Sequence, residues 1–128
     1  MRSMLALCLI ASTAQAQDAM SAAEFEDYAE GRTLGYSVGR AAPYGTERYL
    51  PNRRVIWTTI DGRCSTGSWY PIEDQICFLY DDDPDEKCWH FFPNGDDLMG
   101  IFEQGIGQPY RVSVIDPNDL FACDRFTS

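Results

Sequence analysis

The sequence predicts a mainly β protein: an antiparallel meander curling into a small barrel or half-barrel, with one short N-terminal helix and two disulfides. Three observations point there. Runs rich in Val, Ile, Thr and aromatic residues recur at hairpin spacing, separated by turn residues. A single capped helical segment precedes them. Four of the five cysteines fall in the strand-forming part or the tail after it, so they can pair as staples.

Taken in order, residues 1–16 read as a secretory signal peptide. Arg2 supplies the positive end, Met4 to Ile10 a short apolar run, and Ala14-Gln15-Ala16 the small residues of a cleavage site. Cys8 is not read as a lipid-attachment site, because bulky Leu7 precedes it. Cleavage after Ala16 leaves residues 17–128 as a single β domain. It also removes Cys8, leaving Cys64, Cys77, Cys88 and Cys123. An even cysteine count in a small exported chain implies disulfides and an oxidising compartment. The expected location is periplasmic or secreted, with no membrane insertion once the signal is gone.

The helix is expected over residues 22–30. Ser21 is the N-cap and Glu24, three residues on, completes a capping box. Met20 and Phe25 occupy the staple positions, Phe25, Tyr28 and Ala29 make one apolar face, and Gly31 is the stop. So short a helix must dock, on one end or one face of a sheet.

Beyond Gly31 the period changes to two. Strands are expected at Thr33–Tyr36, Tyr44–Leu50, Arg53–Ile60 and from Cys64 through Tyr70, with Gly67 as a bulge. Asp61-Gly62 reads as a two-residue hairpin turn that pairs Ile60 with Arg63. Glu73-Asp74 is a second tight turn and sets Trp69 opposite Phe78. Further strands follow at Ile76–Tyr80, Lys87–Phe92, Leu98–Glu103 and Tyr110–Ile115, the last stopped by Asp116-Pro117-Asn118. Alternation puts Trp69, Ile76, Phe78, Tyr80, Trp89 and Phe91 on one face. Cys77, Leu79, Cys88, His90 and Phe92 fall on the other. Neither face is polar, so both are expected to be covered, one by a barrel interior and the other by the helix or the tail.

Register selects the disulfides. Centring the third turn between Asp82 and Asp83 sets Cys77 opposite Cys88, within bridging distance. Cys64–Cys123 is the remaining pair and ties the tail to the body.

Charge narrows function. The chain carries 20 Asp and Glu against 10 Lys and Arg, a net charge of -10. That excludes a nucleic-acid binder, which needs cations to neutralise phosphates. Asp81, Asp83 and Asp85 imitate the start of a calcium loop, but Glu86 and Phe92 stand where its Gly and its bidentate Glu belong. The expectation is a solvated hairpin tip, with weak calcium binding as the alternative. His90, the only histidine, lacks partners for a metal site once the cysteines pair.

Six arginines cluster between residues 31 and 63. They either neutralise acids across the sheet or form a mouth around Arg48, Arg53 and Arg54, flanked by Tyr44, Tyr49 and Trp57. Such a mouth would suit a small anionic ligand. No catalytic or cofactor signature is present.

The stretch from Ser21 resembles small exported alphaproteobacterial proteins of uncharacterised function. The likeness runs through Gly31-Arg32-Thr33-Leu34 and the segment from Tyr44 to Trp57. It continues through Cys64-x-x-Gly67-x-Trp69-Tyr70 and Ile76-Cys77-Phe78-x-Tyr80 to Cys88-Trp89-x-Phe91-Phe92. It covers residues 21–92, implies a periplasmic β domain and transfers no catalytic residue. The expected function is therefore a non-enzymatic binding or interaction module of the cell envelope, without cofactor, whose partner is a small anionic ligand or an envelope protein. The alternatives are an acidic inhibitor of a cationic enzyme and a small hydrolase using carboxylates.

Overall fold

The computed structural model describes residues 8–10, 17–105, 107–116 and 123. The expected leader, apart from residues 8–10, and the stop at Pro117-Asn118 lie outside the described residues.

Helix α1 (Ala22–Ala29) is followed by eight strands: β1 (Thr33–Val38), β2 (Gly45–Tyr49), β3 (Arg54–Thr59), β4 (Cys64–Ile72), β5 (Gln75–Tyr80), β6 (Lys87–Asn94), β7 (Asp97–Phe102) and β8 (Pro109–Val114). Each pairs antiparallel with the next, and β8 returns to β1, so the sheet closes into a barrel. Closure is made by a register running from Leu34 opposite Val114 to Val38 opposite Tyr110. It removes the free sheet edges that a half-barrel would leave.

Alternation along each strand divides inside from outside. Leu34, Tyr49, Val55, Trp69, Ile76, Phe78, Phe91, Leu98 and Val112 point inward and form the core. Outward positions include Arg48, Arg54, Ser68 and His90.

The helix covers an end of the barrel rather than a face. Its capping box is complete: Ser21 Oγ accepts from the Glu24 amide and Glu24 Oε1 from the Ser21 amide. Met20 and Phe25 are both buried. The ring of Phe25 enters the barrel among Tyr49, Trp69 and Phe91. Backbone bonds from Met20 N to Phe91 O and from Gly31 N to Tyr49 O, and one from Tyr28 Oη to Asp96 O, hold the helix to the strand ends. With the helix at the end, the outer face keeps Leu79 exposed and His90 half-buried. Of the two places expected for the helix, an end or a face, it takes the end.

Cys77 faces Cys88 in register and the two are bonded, as are Cys64 and Cys123. Trp69 faces Phe78. Two local expectations change. At Asp61-Gly62 the register is Thr58 opposite Cys64, one residue away from that of a two-residue turn. Ile60, Asp61 and Gly62 form a three-residue loop instead, with Gly62 alone at positive φ (85°). Gly67 pairs regularly on both sides and is no bulge. A Cβ there would lie 2.5 Å from the Leu79 carbonyl oxygen and 2.9 Å from Tyr80 Cα, so glycine lets β5 approach.

Candidate functional site

The helix closes one end of the barrel. At the other end the interior opens into a cavity of about 790 Å³. Its wall is aromatic, because the inward positions of this half carry Tyr36, Trp57, Phe78, Tyr80, Trp89 and Phe102, with Tyr44 and Tyr110 nearer the mouth. An eight-stranded barrel has room for either a filled core or one small ligand. Here the helix half is filled and the other half is not.

Five of these rings form a closed circuit of neighbours. Tyr36 meets Trp57 and Trp89, each at 5.5 Å; Trp57 meets Tyr44 at 5.8 Å; Tyr44 meets Tyr110 at 6.1 Å; and Tyr110 meets Trp89 at 5.2 Å. Most of these contacts are edge-to-face, as ring quadrupoles prefer. Glycine makes the space for one of them. A Cβ on Gly45 would fall 2.3 Å from Trp57 Cζ2, so the indole packs against the β2 backbone where a side chain would stand.

Of the charged residues that line the cavity, Glu47 is the buried one, 1% exposed. Tyr80 donates its hydroxyl proton to Glu47 Oε1 at 2.7 Å, while Oε2 has no hydrogen-bond partner. Burial pushes the carboxyl from an ordinary 4.5 up to about 8, partly offset by the Tyr80 hydrogen bond. Below Glu47 the hydroxyls of Tyr36 and Tyr49 share a hydrogen bond of 2.6 Å. Burial raises the pKa of both phenols, and of Tyr80, well above the ordinary range, and that of Tyr44 to about 12.

Of the six residues the sequence suggested, Tyr44 and Trp57 line the cavity and Tyr49 lies beneath it. The three arginines do not assemble a mouth, and strand parity explains two of them. Glu47 and Tyr49 point inward, so Arg48 between them points out and is exposed. Val55 and Trp57 point inward, so Arg54 points out, where it binds Asp81 at 2.7 Å. Arg53 precedes β3 in a turn with φ of 58° and faces the helix end. There its guanidinium sits 4.6 Å from the Trp69 ring and 3.3 Å from Glu26. Arg54 is thus neutralised across the strands by Asp81, and Arg53 by Glu26 of α1.

The acidic hairpin remains a tip. Asp81 is engaged by Arg54 and Thr66, Asp83 by Lys87, and the Asp83 carboxylate also accepts from the Asp85 amide. These bonds turn the Asp81 and Asp83 carboxylates toward different partners. His90 pairs with Asp74 on the outer surface at 3.2 Å.

Glu47 was missed as a site residue because it reads as a counter-charge among arginines. Its parity with Tyr49 was the available signal. Comparison with protein-family models, characterised proteins and solved structures finds no match to this chain.

Proposed function

We propose that this chain is an exported, non-enzymatic binding protein that takes one small organic molecule into the open half of its barrel. The carrying observation is the aromatic-lined cavity of about 790 Å³, of the size that encloses a single small ligand. Two disulfides support an oxidising compartment such as the periplasm, and the signal-like residues 1–16 support export.

The cavity favours a small ligand over a protein partner. Its aromatic rings face inward, whereas the exposed aliphatic residues of the barrel, Val38, Ile60, Ile72, Leu79 and Val114, are scattered over β1, the β3–β4 loop, β4, β5 and β8. An anionic ligand held by Arg48, Arg53 and Arg54 is not supported, since none of the three lines the cavity. A carboxylate hydrolase needs two convergent acids. Glu47 is the dry one, and its hydrogen-bond partner is a tyrosine.

The test is titration of the oxidised mature protein with N-phenyl-1-naphthylamine, a neutral aromatic probe, following tryptophan quenching and probe emission. Saturable one-to-one binding that Trp57→Ala abolishes is expected. Linear, non-saturating emission from the folded protein would remove the reading.

A further inference from the structure

We propose that the cavity is a site for an organic ammonium ion, a protonated or quaternary amine with an apolar or aromatic body. The inference rests on the cavity being a ligand site and specifies what it takes.

Glu47 is the first observation. It is buried, faces the cavity, and keeps one carboxylate oxygen without a partner. Among the described residues no Lys, Arg or His pairs with it. Arg54, Arg53 and Lys87 are engaged by Asp81, Glu26 and Asp83 respectively. A buried carboxylate is costly unless a cation or hydrogen-bond donors satisfy it. Tyr80 supplies one bond, so the buried carboxyl either keeps its proton or, once ionised, pairs with a cation that the ligand brings.

The aromatic circuit is the second. Ring faces carry negative potential and attract an ammonium within about 6 Å of the centroid, more strongly when water is excluded. Tyr36 and Trp57 bring that surface to the same wall as Glu47, with Trp57 its direct cross-strand neighbour. An anion would meet these ring faces and, where Glu47 is ionised, its carboxylate, and both repel it. A neutral ligand without a hydrogen-bond donor would fill the volume but leave Oε2 unmatched.

Protonation couples to binding. The groups facing Glu47 are Tyr36 on β1, Tyr44 before β2, Tyr49 on β2 and Tyr80 on β5, all phenols kept neutral by burial. The mouth adds Arg63, Asp82, Asp83 and Lys87. Within the cavity, Glu47 is thus the group that ionises between pH 6 and 9, and a cation must displace its proton. The apparent affinity then scales with the ionised fraction.

The experiment compares benzyltrimethylammonium with its uncharged isostere neopentylbenzene, by tryptophan quenching, in the oxidised mature protein and in Glu47→Gln. At pH 9 the cation is expected to bind at least tenfold more tightly than the hydrocarbon. Its affinity should fall at least tenfold by pH 6, while that of the hydrocarbon stays constant. Glu47→Gln should lose the preference for the cation yet keep the hydrocarbon's affinity, which also shows that the variant is folded. Equal binding of both probes by the native protein would overturn the ammonium inference and leave the cavity reading standing. Binding of neither would remove both.

Discussion

The ring of Phe25 stacks on that of Phe91 at a centroid distance of 4.6 Å and an interplanar angle of 22°. One residue of the helix thereby closes an end of an eight-stranded barrel. Phe25 also meets Tyr49 and Trp69 edge-on and is fully buried. A helix of eight residues has little stability of its own, so its place depends on this anchor. Phe25→Ala is expected to cost about 3–5 kcal/mol. Urea unfolding checks this. A loss below about 1 kcal/mol would mean that the plug is not part of the cooperative core.

The two disulfides close loops of different length. Cys77–Cys88 spans 11 residues and Cys64–Cys123 spans 59. Chain entropy assigns them about 3 and about 4 kcal/mol. The paired replacement Cys64→Ser with Cys123→Ser is therefore expected to lower the urea midpoint more than Cys77→Ser with Cys88→Ser. The reverse order would show that the short hairpin staple stabilises the folded state directly, beyond its effect on the unfolded chain.

Arg48, Arg53 and Arg54 are expected to leave cavity binding unchanged. Arg48→Ala and Arg54→Ala should alter the probe affinity by less than about twofold and stability by at most about 1 kcal/mol, as exposed pairs do. Arg53→Ala loses its contacts with Trp69 and Glu26 at the closed end and should act on stability alone. A tenfold loss of probe affinity in any of the three would restore the arginine cluster as a binding site.

Much of the architecture was legible because it is local. Turn spacing located the strands, and the parity of Cys77 and Cys88 about the Asp82-Asp83 centre gave the observed register. Asp61-Gly62 misled by one residue because glycine at positive φ serves both two- and three-residue loops. Asp61 itself keeps a negative φ and accepts a hydrogen bond from Thr59, which selects the longer loop. Closure was not legible, since it depends on Leu34 meeting Val114 across nearly the whole domain. The arginines drew attention because charge is conspicuous in a sequence, whereas inward direction must be inferred from neighbours. Tyr49 is the neighbour that places Glu47 inside and Arg48 outside.

Glu47 also makes stability depend on pH in a direction opposite to that of the surface acids. Its carboxyl is raised in the folded state from an ordinary 4.5 to about 8. Between those values the folded chain holds a proton that the unfolded chain has released. The contribution of Glu47 is therefore fully present below about 4.5, falls by roughly 1.4 kcal/mol per pH unit as pH rises through the window, and levels off above about 8. Asp61, Asp81 and Asp83 are held below their ordinary values by Thr59, Arg54 and Lys87 respectively. Their contribution is lost only in acid, as pH falls below about 4, and does not overlap the window. Glu47→Gln removes the titration while keeping the shape. Subtracting the variant's unfolding free energy from the wild type's cancels every group the two share. That difference should decline steadily from pH 5 to pH 8, so the variant is less stable than the wild type at pH 5, or equal to it, and more stable at pH 9. A difference that stays flat would mean the carboxylate is already satisfied in the folded protein, and the ammonium site would lose its main support.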